Sequence, residues 1–482
     1  MNDNLFKKFL SFSYGSGIGL IIGFLGTMIT TRILLPEDFG RASMFTLALN
    51  ISMIFVLFGT DQSFVRFFYE EVEVNRGRLL YNCLKIPLVL SLIISGIILA
   101  FNRKISLLLF EKENFTAIIM LIIGILAQVL YSYSTLVIRM QQKGNLYSIL
   151  EIISRTLSIL TALILYFIMG PSYEIIIYST VINLVILTAF SILNEKKYWS
   201  LENSISTKLV HSKKDILNFG SPLVLTMLIT WLFQSFDKIA IKHWSSFDEL
   251  GLYAAAFKIV ALVSVLQGTF STFWTPVAYE KFEKEPENKY FYEKMSKIIT
   301  FAMLFVAVLS IAGKDIIVLL LGKNYREAVS IMPFLVFMPI MYTISETTVI
   351  GINFYKKPKW HILIALSSCV INLLGNWILV PKYGAIGASI STAFSYVVFF
   401  TMRTQISLIY YKVHYGLKKL YFMLLVISIY AVFSIFTTSF YMNILSGLGV
   451  ILILVFVYKK DLVKGYQFIN KQEIFARYLN RR

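Results

Sequence analysis

Leu420–Tyr458 reads LYFMLLVISIYAVFSIFTTSFYMNILSGLGVILILVFVY, 39 residues without Asp, Glu, Lys or Arg. As one helix at 1.5 Å per residue it would be about 58 Å long, whereas a bilayer's hydrocarbon core is about 30 Å thick. It therefore reads as two crossings, and the polar, glycine-bearing Asn443-Ile444-Leu445-Ser446-Gly447 is the expected hairpin. Moving outward, twelve more windows lack those four residue types: 9–31, 42–60, 86–102, 114–138, 156–173, 175–194, 216–236, 259–279, 298–313, 328–345, 360–381 and 383–402. Nearly all are long enough to span, so fourteen transmembrane helices are expected.

Composition agrees. Of 482 residues, 57% are hydrophobic and 15% charged, against about 25% charged in a soluble domain. That excludes an ordinary soluble enzyme and a disordered chain. Apolar runs of this length also exclude a porin-like barrel, whose strands alternate in polarity. The net charge of +18 fits loop cations that set membrane orientation rather than nucleic-acid binding. The two cysteines, Cys83 and Cys369, offer no disulfide framework, and the four scattered histidines offer no metal site. With the N-terminus cytoplasmic, inner segments hold 31 Lys and Arg and outer segments 11. This bias places both termini inside, with the Arg103, Lys104 and Lys112 loop as the exception. No small-residue cleavage site follows Lys7 and Lys8, so the first helix is expected to be retained.

Patterns recur about 210 residues apart. Leu35-Pro36-Glu37-Asp38-Phe39-Gly40 matches Phe247-Asp248-Glu249-Leu250-Gly251, and FNRKISLLLF (101–110) matches AGKDIIVLLLG (312–322). Gln141-Gln142-Lys143 matches Tyr355-Lys356-Lys357, and Pro171 matches Pro381. Four matches in one order indicate duplication of a six-helix unit. An even-numbered unit inserts twice in the same orientation, which relates the copies by an axis along the membrane normal. The expectation is an all-α polytopic membrane protein. Its parts are an N-terminal lobe over 1–200, a second lobe over 201–415 related by pseudo-twofold symmetry, and two further helices with a basic cytoplasmic tail over 416–482.

TRILLPEDFGRASMF (31–45), GTDQSFVRFFYEE (59–71), NFGSPLVL (218–225), SFDKIAIKHW (235–244), ELGLYAAAFKI (249–259) and LVPKYGAIGASIST (379–392) resemble the polysaccharide transporter family. That family includes the O-antigen and exopolysaccharide flippases, and its superfamily includes MATE exporters and lipid II flippases. The resemblance covers nearly the whole chain, although Pro36 stands where a Gly-Pro is common and Lys242-His243-Trp244 is unusually basic. It implies passage of an undecaprenyl-diphosphate-linked oligosaccharide to the outer leaflet of the cell membrane. The bilayer and the polymerase and chain-length proteins of the same pathway are the implied partners.

Ionisable groups inside spans are the candidate site, because each costs about 2.5–3.5 kcal/mol on insertion scales. Arg32, Arg66, Arg155, Lys238 and Lys258 are the substrate-binding candidates, and Asp61 and Asp237 the candidates for carrying a coupling ion. Arginine's planar fork suits phosphate oxygens. Structural alternatives stand beside each. Arg32, Arg66 and Lys238 lie near helix ends and can snorkel; Glu151 stands four residues before Arg155, the spacing of a helical ion pair; Lys258 has no acid nearby. Glycines 15, 19 and 23 form a small-residue stripe suited to helix packing. Glu70, Glu71 and Glu73 read as a solvated face, and Pro222, Pro333 and Pro339 as helix breaks.

No dinucleotide fingerprint or GxxxxGK[ST] loop occurs, so neither cofactor nor ATP chemistry is expected. A lipid-linked oligosaccharide flippase working by alternating access leads. A cation-coupled drug antiporter would line its cavity with acids, whereas the embedded charges here are mainly basic. A membrane polysaccharide polymerase would need a large outer loop, which the sequence lacks.

Overall fold

The computed structural model describes residues 3–200, 209–437 and 439–471, and among them there is no β-strand. In the first part of the chain, α1 spans Asp3–Ile33, α2 Pro36–Leu57, α3 Thr60–Phe67, α4 Arg76–Ala100, α5 Asn102–Phe110, α6 Phe115–Met140, α7 Gly144–Met169 and α8 Glu174–Asn194. Then follow α9 (Lys213–Trp244), α10 (Phe247–Lys284), α11 (Lys289–Ala312), α12 (Lys314–Leu319), α13 (Met332–Leu335), α14 (Phe337–Thr348), α15 (Ile350–Phe354), α16 (Lys359–Tyr410), α17 (Leu417–Phe436) and α18 (Phe440–Lys471).

The local sequence explains the ends of these helices. Pro36 opens α2, where its missing N–H is no loss. Asn114 caps α6 by accepting from the Ala117 N–H at 2.9 Å, and Asn288 caps α11 by accepting from the Phe291 N–H at 3.2 Å. Between α2 and α3 the chain turns through Phe58 (φ 48°) and Gly59 (φ 74°), a left-handed conformation that glycine adopts without cost.

Among the described residues, eleven helices are long and apolar enough to cross a bilayer. A twelfth is reached if the 3-10 segment Lys323–Ser330 and the helical stretch Met332–Thr348, bent by 55°, form one broken span. The prolines Pro333 and Pro339 lie in this broken stretch, as expected. Helix α16 has 52 residues and a non-helical Gly384 (φ 53°, ψ −132°). At about 78 Å of helix it is two crossings. With the apolar part of α1, Gly17–Ile33, the count reaches fourteen by length and composition.

One expected turn is misplaced. Asn443–Gly447 is helical, inside α18, and the hairpin falls between Phe436 and Phe440. Asn443 is fully buried, and its Nδ2 donates to the carbonyls of Ile311 and Ala312 at 3.2 Å. Its backbone carbonyl accepts from the Tyr430 hydroxyl at 3.0 Å. In hydrocarbon such an amide joins helices, which explains why a residue read as a turn former sits in a helix.

The duplication has a physical counterpart. At the first repeated turn, Lys143 N–H bonds to Ile138 O and Gln142 N–H to Arg139 O; at the second, Lys357 N–H bonds to Ile352 O and Lys356 N–H to Asn353 O. Gln142 (φ 58°) and Lys356 (φ 53°) adopt the same left-handed conformation. The matched segments at 101–110 and 312–322 both become short helices, α5 and α12.

The chain forms two compact units. The first is Met1–Lys238 with Ser246–Ala254, and the second is Ile239–Ser245 with Ala255–Arg482. In the first, the matched motifs pack on each other reciprocally. A Cβ at Gly40 would lie 2.2 Å from the Phe247 carbonyl oxygen, and one at Gly251 would lie 1.8 Å from that of Pro36. Gly59 and Gly220 face each other in the same way, at 2.1 and 2.5 Å. The α1 stripe packs on α7: a Cβ at Gly15 would meet Ser148 Cα at 2.3 Å, and one at Gly26 would meet Ile159 Cγ1 at 2.9 Å. In the second unit, Trp274, Phe291, Tyr292, Phe354 and Tyr411 form an aromatic core.

Gly251→Ala is expected to lower the thermal stability of the purified protein by about 1–3 kcal/mol through overpacking. Gly268→Ala, where nothing lies within 4 Å, should change it little. Equal melting temperatures for both variants would refute the close approach.

Candidate functional site

Near the middle of four helices of the first unit is a polar cavity of about 610 Å3. α6 contributes Gln128, Tyr131 and Thr135, and α7 contributes Tyr147, Glu151, Ser154, Arg155 and Ser158. Asn50 of α2 and Thr180 and Asn183 of α8 complete its polar wall, with Leu150 and Leu184 as apolar members. Asn183 is 8% exposed. Its Nδ2 donates to the Ser154 carbonyl at 2.9 Å, while its Oδ1 is buried without a hydrogen-bond partner among the described residues.

Arg155 is the expected candidate that lines this cavity. The α1 glycines make room for it: Cβ atoms at Gly19 and Gly23 would lie 3.7 Å from its Cγ and Cδ. Among the described residues Arg155 makes no ion pair. The helical pair with Glu151 considered from spacing is therefore not formed, although both residues line the same cavity.

The other candidates lie elsewhere. Arg32 is exposed and donates to the Met28 carbonyl at 3.2 Å. Arg66 is exposed and pairs with Glu70. Lys238 is half-buried in α9, and Lys258 is exposed in α10 of the second unit. Asp237 is buried, with Oδ2 accepting from the Tyr253 hydroxyl at 2.6 Å. Asp61 Oδ2 accepts from Gln62 at 2.7 Å, and its Oδ1 is buried without a partner among the described residues.

Of the acids after α3, Glu71 departs from the solvated face expected of them. Glu71 is 1% exposed and accepts from the His211 backbone N–H at 3.1 Å. The His211 ring reaches Glu70 at 2.9 Å and Glu71 at 3.2 Å, and it stacks on Phe67 with centroids 4.0 Å apart. The Ser63 hydroxyl donates to the Ile216 carbonyl at 2.7 Å. Together with the Gly59–Gly220 approach, these contacts fasten the start of α9 to α3. Glu70 and Glu73, the latter paired with Lys197 at 3.4 Å, are exposed.

Charge counting also missed partners. Glu346 follows an apolar window directly, and its counter-ion is Arg403, at 2.8 Å, with both side chains mostly buried. Arg403 also donates to Ser345 at 2.6 Å and lies over the rings of Tyr342 and Phe399. Asn50, Gln128 and Asn183 were missed because uncharged amides do not interrupt an apolar window; an amide near mid-span was the available signal. Among the described residues no cluster of His, Cys, Asp and Glu fits a metal ion.

These features define a polytopic helical membrane protein with a duplicated core and a polar cavity at mid-span. Residues 29–330 match the family model described as polysaccharide biosynthesis protein, and the chain belongs to that family. It is similar to capsular polysaccharide biosynthesis protein CapF of Staphylococcus aureus, at 24% identity over 53% of this chain and 65% of CapF. It is also similar to the probable low-salt glycan biosynthesis flippase Agl15 of Haloferax volcanii, at 22% identity over 48% of each. These matches thus span between about half and two thirds of the relatives' length. In fold it is similar to lipid II flippase MurJ in an inward closed conformation, with TM-score 0.69, 18% identity and coverage of 94% of this chain and 99% of that one. It is likewise similar to an inward-facing MATE transporter, with TM-score 0.62, 15% identity and coverage of 81% and 94%.

Arg403→Ala leaves Glu346 buried without its counter-ion and is expected to destabilise by about 3–5 kcal/mol. Replacing both residues with Met should recover most of that loss. Thermal melts of the two variants decide it: a double variant as unstable as the single one would show that the pair is not the cause.

Proposed function

We propose that this protein is a flippase for undecaprenyl-diphosphate-linked oligosaccharide, moving it from the cytoplasmic to the outer leaflet of the cell membrane by alternating access, with both termini cytoplasmic. The observation that carries the reading is Arg155, a cation near the middle of α7 that lines a polar cavity and makes no ion pair among the described residues. A cation held at membrane depth without a protein counter-ion suits an anionic or strongly polar ligand. Membership in a polysaccharide biosynthesis family supports the substrate class.

In this reading Arg155 is the first substrate contact, and Arg66, Arg32, Lys238 and Lys258 are further stations for the diphosphate. Asp61 and Asp237 are the candidates for a coupling ion. The two repeats act as lobes over 1–200 and 201–415 that rock about a central path, with 416–482 outside the repeat. The protein performs no bond chemistry of its own. The drug-antiporter alternative is disfavoured because the ionisable groups inside the spans are mainly basic, which suits an anionic rather than a cationic substrate.

Cells lacking the protein are expected to accumulate the complete lipid-linked oligosaccharide on the cytoplasmic face, measured by leaflet-specific enzymatic access to extracted membranes. Unchanged lipid-linked saccharides would end the flippase reading. Arg155→Ala should cut transport at least tenfold at normal membrane abundance, with Glu151→Ala giving a smaller defect. Equal defects restored in the double variant would instead show a structural pair.

A further inference from the structure

The contacts of His211, just ahead of α9, require one proton more than a neutral imidazole carries. Its Nδ1 lies 3.2 Å from Glu71 Oε1 and its Nε2 lies 2.9 Å from Glu70 Oε2, so both ring nitrogens face carboxylate oxygens. A neutral imidazole has one N–H and one lone pair; only the imidazolium donates at both positions. The charged groups around the ring are Glu70 and Glu71 from the segment after α3, and Arg66 of α3 through its pair with Glu70. Asp215, with the exposed Lys213 and Lys214, adds the first turn of α9. Three carboxylates therefore surround the ring.

Glu71 is the other place such a proton could sit. Its Oε2 is buried without a partner among the described residues, so a proton there would meet no acceptor, whereas on the ring it completes a second N–H···O contact. Without that proton, Glu71, at 1% exposed, would be a carboxylate held out of water with no cation beside it, which is costly. The ring also stacks on Phe67 of α3, and Phe67 packs on Phe219 of α9 with centroids 5.6 Å apart. The proton thus sits where the start of α9 is joined to α3.

We propose that Glu70, Glu71 and His211 form a proton-operated latch, in which the charged ring holds the start of α9 against α3 and its deprotonation frees that end. The sign follows from linkage. The latched state keeps the extra proton and the released state gives it up, so latching is favoured at low pH and lost as pH rises. In the proposed topology the latch lies at the cytoplasmic side, where cytoplasmic pH governs it. Since α9 opens the second repeat, freeing its start is the motion that pH controls.

The test places spin labels at two exposed positions that flank the latch without carrying its charges, Val74→Cys and Asn218→Cys, in the full chain in nanodiscs. Cys83 and Cys369 are buried, and the chain without the added cysteines measures any label they take. Pulsed EPR then reads the distance in samples frozen at about pH 5.5 and about pH 8, on either side of an ordinary histidine's titration. At the lower pH one narrow, short distance is expected; at the higher pH a longer component should be about threefold more populated. In Glu70→Gln the new amide donates to Nε2 of the neutral ring, whose Nδ1–H serves Glu71, so the short distance should persist at both pH values. His211→Asn should show the longer component at both. Identical distributions at the two pH values in the parent would overturn the latch. So would a Glu70→Gln chain that responds to pH as the parent does, or a His211→Asn chain that stays short throughout. No substrate enters the measurement, so its outcome is independent of the flippase reading.

Discussion

Hydrocarbon offers no hydrogen bonds, so every polar group carried into it must find a partner within the protein or face a wet cavity. That constraint makes the chain helical and determines how its buried polar groups are used. Asn443 satisfies its amide on the carbonyls that end α11. Glu346 and Arg403 satisfy each other, and Asp237 takes the Tyr253 hydroxyl. Not every buried polar atom among the described residues is met: Asp61 Oδ1 and Asn183 Oδ1 have no donor there, and Arg155, which lines the cavity, has no counter-ion there.

Close backbone approach provides the second organising element. Gly40 and Gly251 each occupy a place where a side chain would strike the other motif's carbonyl, and Gly59 and Gly220 do the same. For Gly40 and Gly251, which end the matched motifs, the reciprocity follows from the repeat. Two copies of one short motif meeting about a local twofold make the same contact in both directions. The α1 glycines serve another purpose, letting α7 come close while leaving the length of Arg155 accommodated beside Gly19 and Gly23.

Much of the fold was legible in the sequence, because the length of an apolar window reports directly on a bilayer crossing. The duplicated turns were legible too, and Gln142 and Lys356 share one backbone conformation. The candidate site was less so. A search for charges finds Arg155 but passes over Asn50, Gln128 and Asn183, whose amides leave the windows intact. It also reads Glu71 as solvated, since nothing local reveals that His211, some 140 residues later, comes to lie on it.

The sequence by itself determined the membrane class, the repeat and the family resemblance, because hydropathy and motif order are properties of the linear chain. Tertiary structure alone decided which polar residues share a cavity, which cations have counter-ions, and that Asn443 joins helices rather than turning between them. Those outcomes depend on which helix faces pack together, and burial and pairing are set across distances in sequence that no local pattern encodes.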